Sequence, residues 1–165
     1  ATIRVDANEV WTPKEAVEKC RALESYGIEF VEQPVEASDL EGLRYVYQRS
    51  PLPIAADEAC RTASDIPAIA DRCDIANLKL MKTGGVTPAT EFIHAARAHG
   101  LEVMCGCMIE TNAAIAAAVN LLSLLEYADL DGSLLLATDP YAGVPISAGR
   151  FDLERIERGT GARPQ

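Results

Sequence analysis

The chain has 165 residues, of which 48% are hydrophobic and 24% are charged, and its formal net charge is -10. This composition is typical of one globular domain with a sizeable core, and it excludes disordered and fibrous proteins. Lysine and arginine are not clustered as binding to a phosphate backbone requires, so we expect no nucleic-acid partner. Because no apolar run approaches about 20 residues and the first residues lack the pattern of a secretory signal, we expect no membrane partner and a cytoplasmic location.

The five cysteines form no recognisable motif. Their number is odd and their spacings are irregular, which fits neither a disulfide framework nor a zinc module. We therefore expect reduced and mostly buried thiols at Cys20, Cys60, Cys73, Cys105 and Cys107.

Short apolar runs alternate with longer amphipathic stretches along the chain, which predicts a repeated strand and helix unit. The predicted strands are residues 3–8, 28–34, 52–58, 74–82, 101–107 and a short one near 128–132. The predicted helices are residues 12–27, 38–50, 62–72, 87–100 and 110–127. Thr12, Ser38 and Thr87 are the predicted N-terminal caps of three of these helices.

Successive strands joined by helices must run parallel, which leaves a barrel or a doubly wound sheet. The barrel is favoured because no glycine-rich phosphate motif follows the first strand and because polar residues recur where strands end. We therefore predict an α/β fold, a parallel (β/α)-barrel of TIM type, present as an incomplete barrel of about six β/α units. A full barrel has eight strands, so we expect a fragment, or a chain that closes against a partner.

Acidic residues and one lysine mark the ends of the predicted strands. They are Asp6, Glu32, Asp57, Lys79, Asp129 and Asp131. If the strand ends converge, the first three carboxylates repel one another and require a cation. Oxygen ligands without histidine or cysteine indicate a hard ion, so Asp6, Glu32 and Asp57 are predicted to bind Mg²⁺. For any one of these acids, an exposed strand end or a helix cap is the alternative.

Lys79 lies in an apolar strand and is predicted to reach the barrel mouth. Burial and a nearby dication would lower its pKa toward that of a general base, although the carboxylates would act in the opposite direction. Glu58 and Lys82 are predicted to point to the other side of their strands, with Lys82 as a loop lysine. Glu110 is expected either to contribute to the site or to cap the helix that follows it.

Five segments in order along nearly the whole chain, RVDAN, FVEQPVE, IAADEAC, NLKLMKTGG and CGCMIET, resemble consecutive strand ends of enolase-superfamily barrels. They are most similar to the muconate-lactonising subgroup and, within it, to the dipeptide epimerases. The resemblance implies that Asp6, Glu32 and Asp57 are the Mg²⁺ ligands and that Lys79 is one of two acid/base lysines. It implies abstraction of a proton next to a carboxylate, through an enolate that the metal stabilises.

The segment Asp129-Leu130-Asp131 resembles the Asp-x-Asp of the last barrel strand of dipeptide epimerases. Two carboxylates at this spacing face the same side of a strand and can bind an N-terminal ammonium. We therefore expect a small-molecule substrate, either a dipeptide of Ala-Glu type or another carboxylate. An acidic turn is the alternative interpretation of this segment. We also expect the complete enzyme to be a homo-oligomer.

The resemblance implies that two parts of the family's architecture lie outside this chain. They are an N-terminal capping domain and the first two barrel strands, the second of which carries a Lys-x-Lys motif. Residues 1–165 are thus expected to form a partial C-terminal (β/α)7β barrel domain, from the third strand onward. Epimerisation needs an acid and a base on opposite faces of the α-carbon, so we expect the isolated chain to be inactive with Lys79 alone.

The sequence is also compatible with other functions. The same site could support muconate cycloisomerisation, o-succinylbenzoate synthesis or N-acylamino-acid racemisation. A non-catalytic barrel fragment is the alternative from another class. Asp129 and Asp131 separate the dipeptide epimerase from the other enzymes, because only a substrate with a free amine needs both carboxylates.

Overall fold

The computed structural model describes residues 2–165, and its main element is a parallel sheet of six strands that follow one another in chain order. The strands are β1 (Ile3–Asp6), β2 (Ile28–Glu32), β3 (Ile54–Ala56), β4 (Ile75–Lys79), β5 (Glu102–Gly106) and β6 (Tyr127–Ala128). The order has no reversal, unlike that of a doubly wound sheet. Arg4 of β1 donates a hydrogen bond of 3.1 Å to the Ala128 carbonyl of β6 across the interior. The sheet is a half-barrel, which confirms the predicted incomplete barrel of about six β/α units.

Helices follow each of the first five strands. They are α1 (Pro13–Glu24), α2 (Leu40–Tyr47), α3 (Ile66–Ile69), α4 (Leu80–Thr83), α5 (Val86–Ala98) and α6 (Asn112–Val119). Short 3₁₀ helices lie at Ala63–Asp65, Leu122–Leu124, Gly132–Leu135 and Leu153–Arg155. The predicted helix 110–127 is shortened to α6, because the Asn120 side chain donates to the Ala116 carbonyl at 2.7 Å and caps the helix there.

The first predicted helix cap is confirmed and the second is wrong. Thr12 Oγ1 accepts the Glu15 N–H at 3.4 Å, and the Glu15 carboxylate accepts the Thr12 N–H at 2.9 Å. Ser38 does not cap α2. The neighbouring Asp39 does, since its carboxylate accepts the Gly42 N–H at 2.8 Å. Aspartate and serine cap helices about equally well, so the sequence does not decide between adjacent candidates.

The third predicted cap, Thr87, lies inside α5. This helix begins at Val86, and its N-cap residue is Gly85. Pro88 consequently falls in the first turn of the helix, where a missing N–H leaves no intrahelical bond unmade.

Alternation of side chains along the strands gives the sheet two different faces. The outer face packs against the helices through buried residues that include Val31, Ile54, Ala76, Leu78 and Val103. The inner face has a separate apolar layer, which consists of Phe30, Ala55, Ile75, Met104 and Tyr127. We call these five residues the inner apolar layer. It closes the barrel interior below the strand ends.

The C-terminal segment adds two small antiparallel pairs of strands. β7 (Tyr141–Ala142) pairs with β10 (Arg163–Pro164), and β8 (Ile146–Ser147) pairs with β9 (Arg150–Phe151). Across residues 2–165, none of the helices has the length and apolarity needed to cross a membrane. The cysteines are free thiols, four buried and Cys107 half-buried, as predicted.

Candidate active site

The carboxyl ends of the strands surround a cavity of about 200 Å³, which we call the mouth cavity. Its polar lining consists of Arg4, Asp6, Glu32, Asn77, Lys79, Cys107 and Asp129. Four of the six predicted site residues therefore share one cavity. Asp57 lies beside it in contact with Lys79, and Asp131 lines a neighbouring groove.

Asp6 and Glu32 occupy paired positions at the ends of β1 and β2. Burial raises the pKa of Asp6 despite a 2.8 Å hydrogen bond from the Asn8 N–H, and the charge of Asp57 adds to the increase. Burial also raises the pKa of Glu32, to about 7, with further contributions from the charges of Asp6 and Asp57. The charge of Asp57 thus disfavours the charged forms of both Asp6 and Glu32, as expected for neighbouring carboxylates.

Asn77 holds the Glu32 carboxylate in place, a role that the sequence analysis did not identify. Its Nδ2 donates to Glu32 Oε1 at 2.6 Å, and its Oδ1 accepts the Gly106 N–H at 2.8 Å. Because the Gly106 N–H fixes the amide orientation, the NH₂ group must face Glu32. The position of Asn77 could have been found from the two-residue period, since it precedes Lys79 on the same face of β4.

Gly106 provides the space that Asn77 and Lys79 occupy. A Cβ atom at this position would lie 2.9 Å from either end of the Asn77 amide and 3.0 Å from Lys79 Cε. Lys79 and Gly106 are paired across β4 and β5. The side chain of Lys79 therefore crosses the neighbouring strand where that strand has no side chain.

Two lysines bind the carboxylate of Asp57, whose side chain is only 2% exposed. Lys79 Nζ donates to Oδ2 at 2.6 Å, and Lys82 Nζ donates to Oδ1. Burial alone would raise the pKa of Asp57. The ion pairs with Lys82 and Lys79 have the larger combined effect, so the pKa of Asp57 is lowered. The pKa of Lys79 is raised, because Asp57, Glu32 and Glu58 outweigh its burial. The carboxylates, not burial, thus determine the direction in which the pKa of Lys79 is shifted.

The predicted orientation of Lys82 is wrong, because the prediction extended strand alternation beyond the point where the strand ends. β4 ends at Lys79 and continues directly as α4, and residues three apart lie on the same face of a helix, so Lys82 returns to the site. β3 ends at Ala56, and burial and the adjacent Asp57 charge raise the pKa of Glu58 to about 7.

Gln33 shapes the loop after β3 rather than contacting the cavity. It is buried and has a φ of +32°, a strained value for a residue with a side chain. Its Oε1 accepts the N–H groups of Asp57 at 2.9 Å and of Ala59 at 3.1 Å. The strained residue after Glu32 therefore positions the backbone that carries Asp57.

Asp129 and Asp131 both line a groove of about 620 Å³ next to the mouth cavity, and only Asp129 lines the cavity as well. Burial and the charge of Asp131 raise the pKa of Asp129. β6 ends at Ala128, so the pair lies in the turn that leads into the next 3₁₀ helix. Glu110 instead accepts the Met108 N–H within its own loop at 2.9 Å, and α6 has Thr111 at its N-cap.

The donor set of Asp6, Glu32 and Asp57 fits a hard dication such as Mg²⁺. All donors are carboxylate oxygens at the ends of neighbouring strands. Burial and the neighbouring acids raise the pKa of Glu32 to about 7, so additional positive charge beside it would be favourable. In the part of the chain that the structure describes, residues 2–165, no three acidic, histidine or cysteine side chains are gathered closely enough to hold a metal ion. The Asp57 carboxylate is turned to the two lysines instead.

Acids and a lysine at the carboxyl ends of parallel strands form the type of site that β/α-barrel enzymes use. The profile of the family described as "Enolase C-terminal domain-like" matches residues 1–164. The chain belongs to this family of the enolase superfamily.

Several relatives of the chain are dipeptide epimerases. The chain is 42% identical to a hydrophobic dipeptide epimerase of Flavobacteria bacterium (strain MS024-2A), over 89% of the chain and 42% of that protein. It is 40% identical to the L-Ala-D/L-Glu epimerase of Escherichia coli (strain K12), over 93% of the chain and 47% of that protein. The chain thus spans less than half the length of these relatives.

A solved structure shows the same architecture. It is a dipeptide epimerase from Enterococcus faecalis V583 complexed with Mg and the dipeptide L-Leu-L-Tyr. The two chains are 42% identical with a TM-score of 0.84, over 87% of this chain and 43% of the other. The half-barrel therefore matches one part of a larger enzyme fold.

Replacing Asn77 with leucine is expected to destabilise the protein. The Glu32 Oε1 and the Gly106 N–H would both lose their partner in a buried environment, at a cost of about 1–3 kcal/mol for each group. We expect the free energy of unfolding, measured by urea denaturation, to fall by at least about 2 kcal/mol. The matched control is Gln48→Leu at an exposed position, with an expected change within about 0.5 kcal/mol. Equal losses in the two variants would contradict the role of Asn77.

Proposed function

We propose that the chain is part of a Mg²⁺-dependent dipeptide epimerase, possessing the metal ligands and one of the two acid/base lysines. The observation that carries this proposal is the mouth cavity, where Lys79 faces the paired acids Asp6 and Glu32 with Asp129 on the same lining. The names of the relatives support the substrate class. One of these relatives is named for hydrophobic dipeptides and the other for L-Ala-D/L-Glu, so the names support both a hydrophobic dipeptide and a dipeptide of Ala-Glu type.

The chain corresponds, in this proposal, to the C-terminal part of a barrel domain. Residues 1–165 supply the third and later strands of a (β/α)7β barrel, and a capping domain and two further strands belong to the rest of the enzyme. The coverage of less than half of each relative supports this division. The open edges of the half-barrel support it as well, because unpaired edge strands are rarely left exposed. That the complete enzyme is a homo-oligomer stays a prediction.

Asp6, Glu32 and Asp57 would hold the metal ion. When bound, Mg²⁺ would supply positive charge that stabilises the negative charge developing on the substrate carboxylate during loss of the α-proton. The protein contributes the placement of the acids: Asn77 orients Glu32, and the Asn8 N–H orients Asp6. A site built on rigid strand ends keeps these donors fixed before the substrate arrives.

Lys79 would remove or return the α-proton on one face of the substrate. Lys79 lines the cavity, and its ammonium group donates to the side chain of Asp57. A second base on the opposite face must come from another part of the enzyme, because the described residues bring no other lysine to the cavity lining. Asp129 and Asp131 would bind the substrate's N-terminal ammonium through charge-assisted hydrogen bonds.

Metal removal tests the proposed ligands. In the complete protein, a chelator should abolish dipeptide epimerisation and added Mg²⁺ should restore it. Glu32→Gln should weaken binding of Mn²⁺, measured by calorimetry, by at least about 100-fold, because loss of a ligand should cost no less than loss of the partner of a ligand. The control Glu18→Gln, on the exposed face of α1, should bind Mn²⁺ as the unaltered protein does. Unchanged binding by Glu32→Gln would exclude Glu32 as a ligand.

Replacement of both Asp129 and Asp131 with alanine tests whether the substrate is a dipeptide, as opposed to the substrates of the other reactions of the superfamily. The value of kcat/KM for a free-amine dipeptide should fall by about 100-fold or more, since each lost charge-assisted bond costs about 1.5–3 kcal/mol. Turnover of an N-acetylated dipeptide, which has no ammonium, should change little. The control is Asp152→Ala at an exposed position. A double variant that retains full activity on the free-amine substrate would favour an N-acylated or non-peptide substrate.

The isolated chain should not turn over dipeptides. Lys79 can serve only one face of the α-carbon, and epimerisation needs an acid and a base on opposite faces. The assay follows conversion of L,L- to L,D-dipeptide by chromatography, with the complete protein as the positive control. Measurable turnover by residues 1–165 alone would show that these residues contain both groups.

A further inference from the structure

Lys82 is a buried cation that the proposed mechanism does not use. Its side chain is 8% exposed, against 12% for Lys79. It lies in α4, one turn beyond Lys79, and it is not among the residues that line the mouth cavity in the described chain. A buried ammonium is unfavourable unless it is paired, so its partners indicate why it is placed there.

The ammonium group of Lys82 is held at one point by backbone oxygens. It donates to the carbonyl of Asp57 at 2.8 Å, and it lies 3.4 Å from the Asn77 carbonyl and 3.5 Å from the Cys60 carbonyl. These carbonyls belong to β4 and to the loop that follows β3. Because an ammonium has three donors, this environment fixes its position independently of any other side chain.

The same ammonium group contacts Oδ1 of the Asp57 carboxylate. Lys79 contacts the other oxygen, Oδ2, and has no further side-chain or backbone acceptor among residues 2–165. The ammonium groups of the two lysines therefore have different environments. Lys82 is anchored to the backbone and holds one oxygen of Asp57, whereas Lys79 lies at the cavity wall, where a substrate can reach it.

We propose that Lys82 is a positioning residue that fixes the Asp57 carboxylate for the metal site, leaving the second oxygen and Lys79 to take part in binding and proton transfer. This inference rests on the proposed function, since it assigns Asp57 to the metal. Side chains that orient metal ligands typically change metal affinity or activity by about 10–100-fold when they are replaced. Lys82 acts through Asp57 and does not touch the substrate.

Lys82→Met in the complete protein tests this role, because methionine keeps most of the apolar stem and removes the ammonium. The probe is Mn²⁺, with affinity measured by calorimetry and by electron paramagnetic resonance. We expect binding to weaken by about 10–100-fold. With saturating metal, kcat should fall while KM for the dipeptide stays within about threefold, because a residue outside the cavity does not contribute to substrate binding. Lys14→Met, on the exposed face of α1, is the matched control.

A folded Lys82→Met variant that binds Mn²⁺ as tightly as the unaltered protein would overturn the proposal. If this variant is not folded by circular dichroism, Lys82→Gln is measured in its place, since its amide can still donate to backbone carbonyls. Failure of both variants to fold would make Lys82 a structural residue and would also overturn the positioning role. The unaltered protein separates the two proposals: if it binds no Mn²⁺ and epimerises no dipeptide, the proposed function itself fails.

Discussion

The two-residue period of parallel strands is the constraint on which the rest of this structure depends. It places Phe30 and Glu32 on one face of β2, and Ile75, Asn77 and Lys79 on one face of β4. The inner apolar layer and the polar lining of the mouth cavity are thus successive levels of the same face. A slip of one residue in any strand would move its polar end into the helix-covered core, so the core and the site stabilise the same register.

Charge balance at the strand ends explains how a crowded acidic site can exist inside a folded domain. Asp57 is almost completely buried and is matched by two ammonium groups. Among residues 2–165, no ammonium or guanidinium group forms an ion pair with Asp6 or Glu32, and the pKa of Glu32 is raised to about 7 by burial and its acidic neighbours. The part of the site with unmatched negative charge is therefore the pair on β1 and β2. That is where additional positive charge would have the largest effect.

The features that depend on local periodicity could be predicted from the sequence. The predictions were wrong where a strand or helix ended before the hydrophobic pattern did. The strand order, the half-barrel and the Thr12 cap followed from alternation and capping chemistry. Lys82 was misplaced because an apolar run does not show where a strand becomes a helix. The two-residue period could have placed Asn77 on the same face of β4 as Lys79, but it does not show the contact with Glu32, 45 positions earlier in the chain.

The absence of a side chain at Gly106 limits how this site can diverge. Even a methyl group there would press on the Asn77 amide and on the Lys79 stem. At this level β5 can offer the cavity only its backbone, so a new reactive group cannot be introduced from that strand without moving the lysine. Variation has to come from the residue that follows, Cys107, which already lines the cavity and stands outside the crowded pairing of β4 and β5. Evolution or design of a different substrate preference would have more freedom at this loop than at the strand ends.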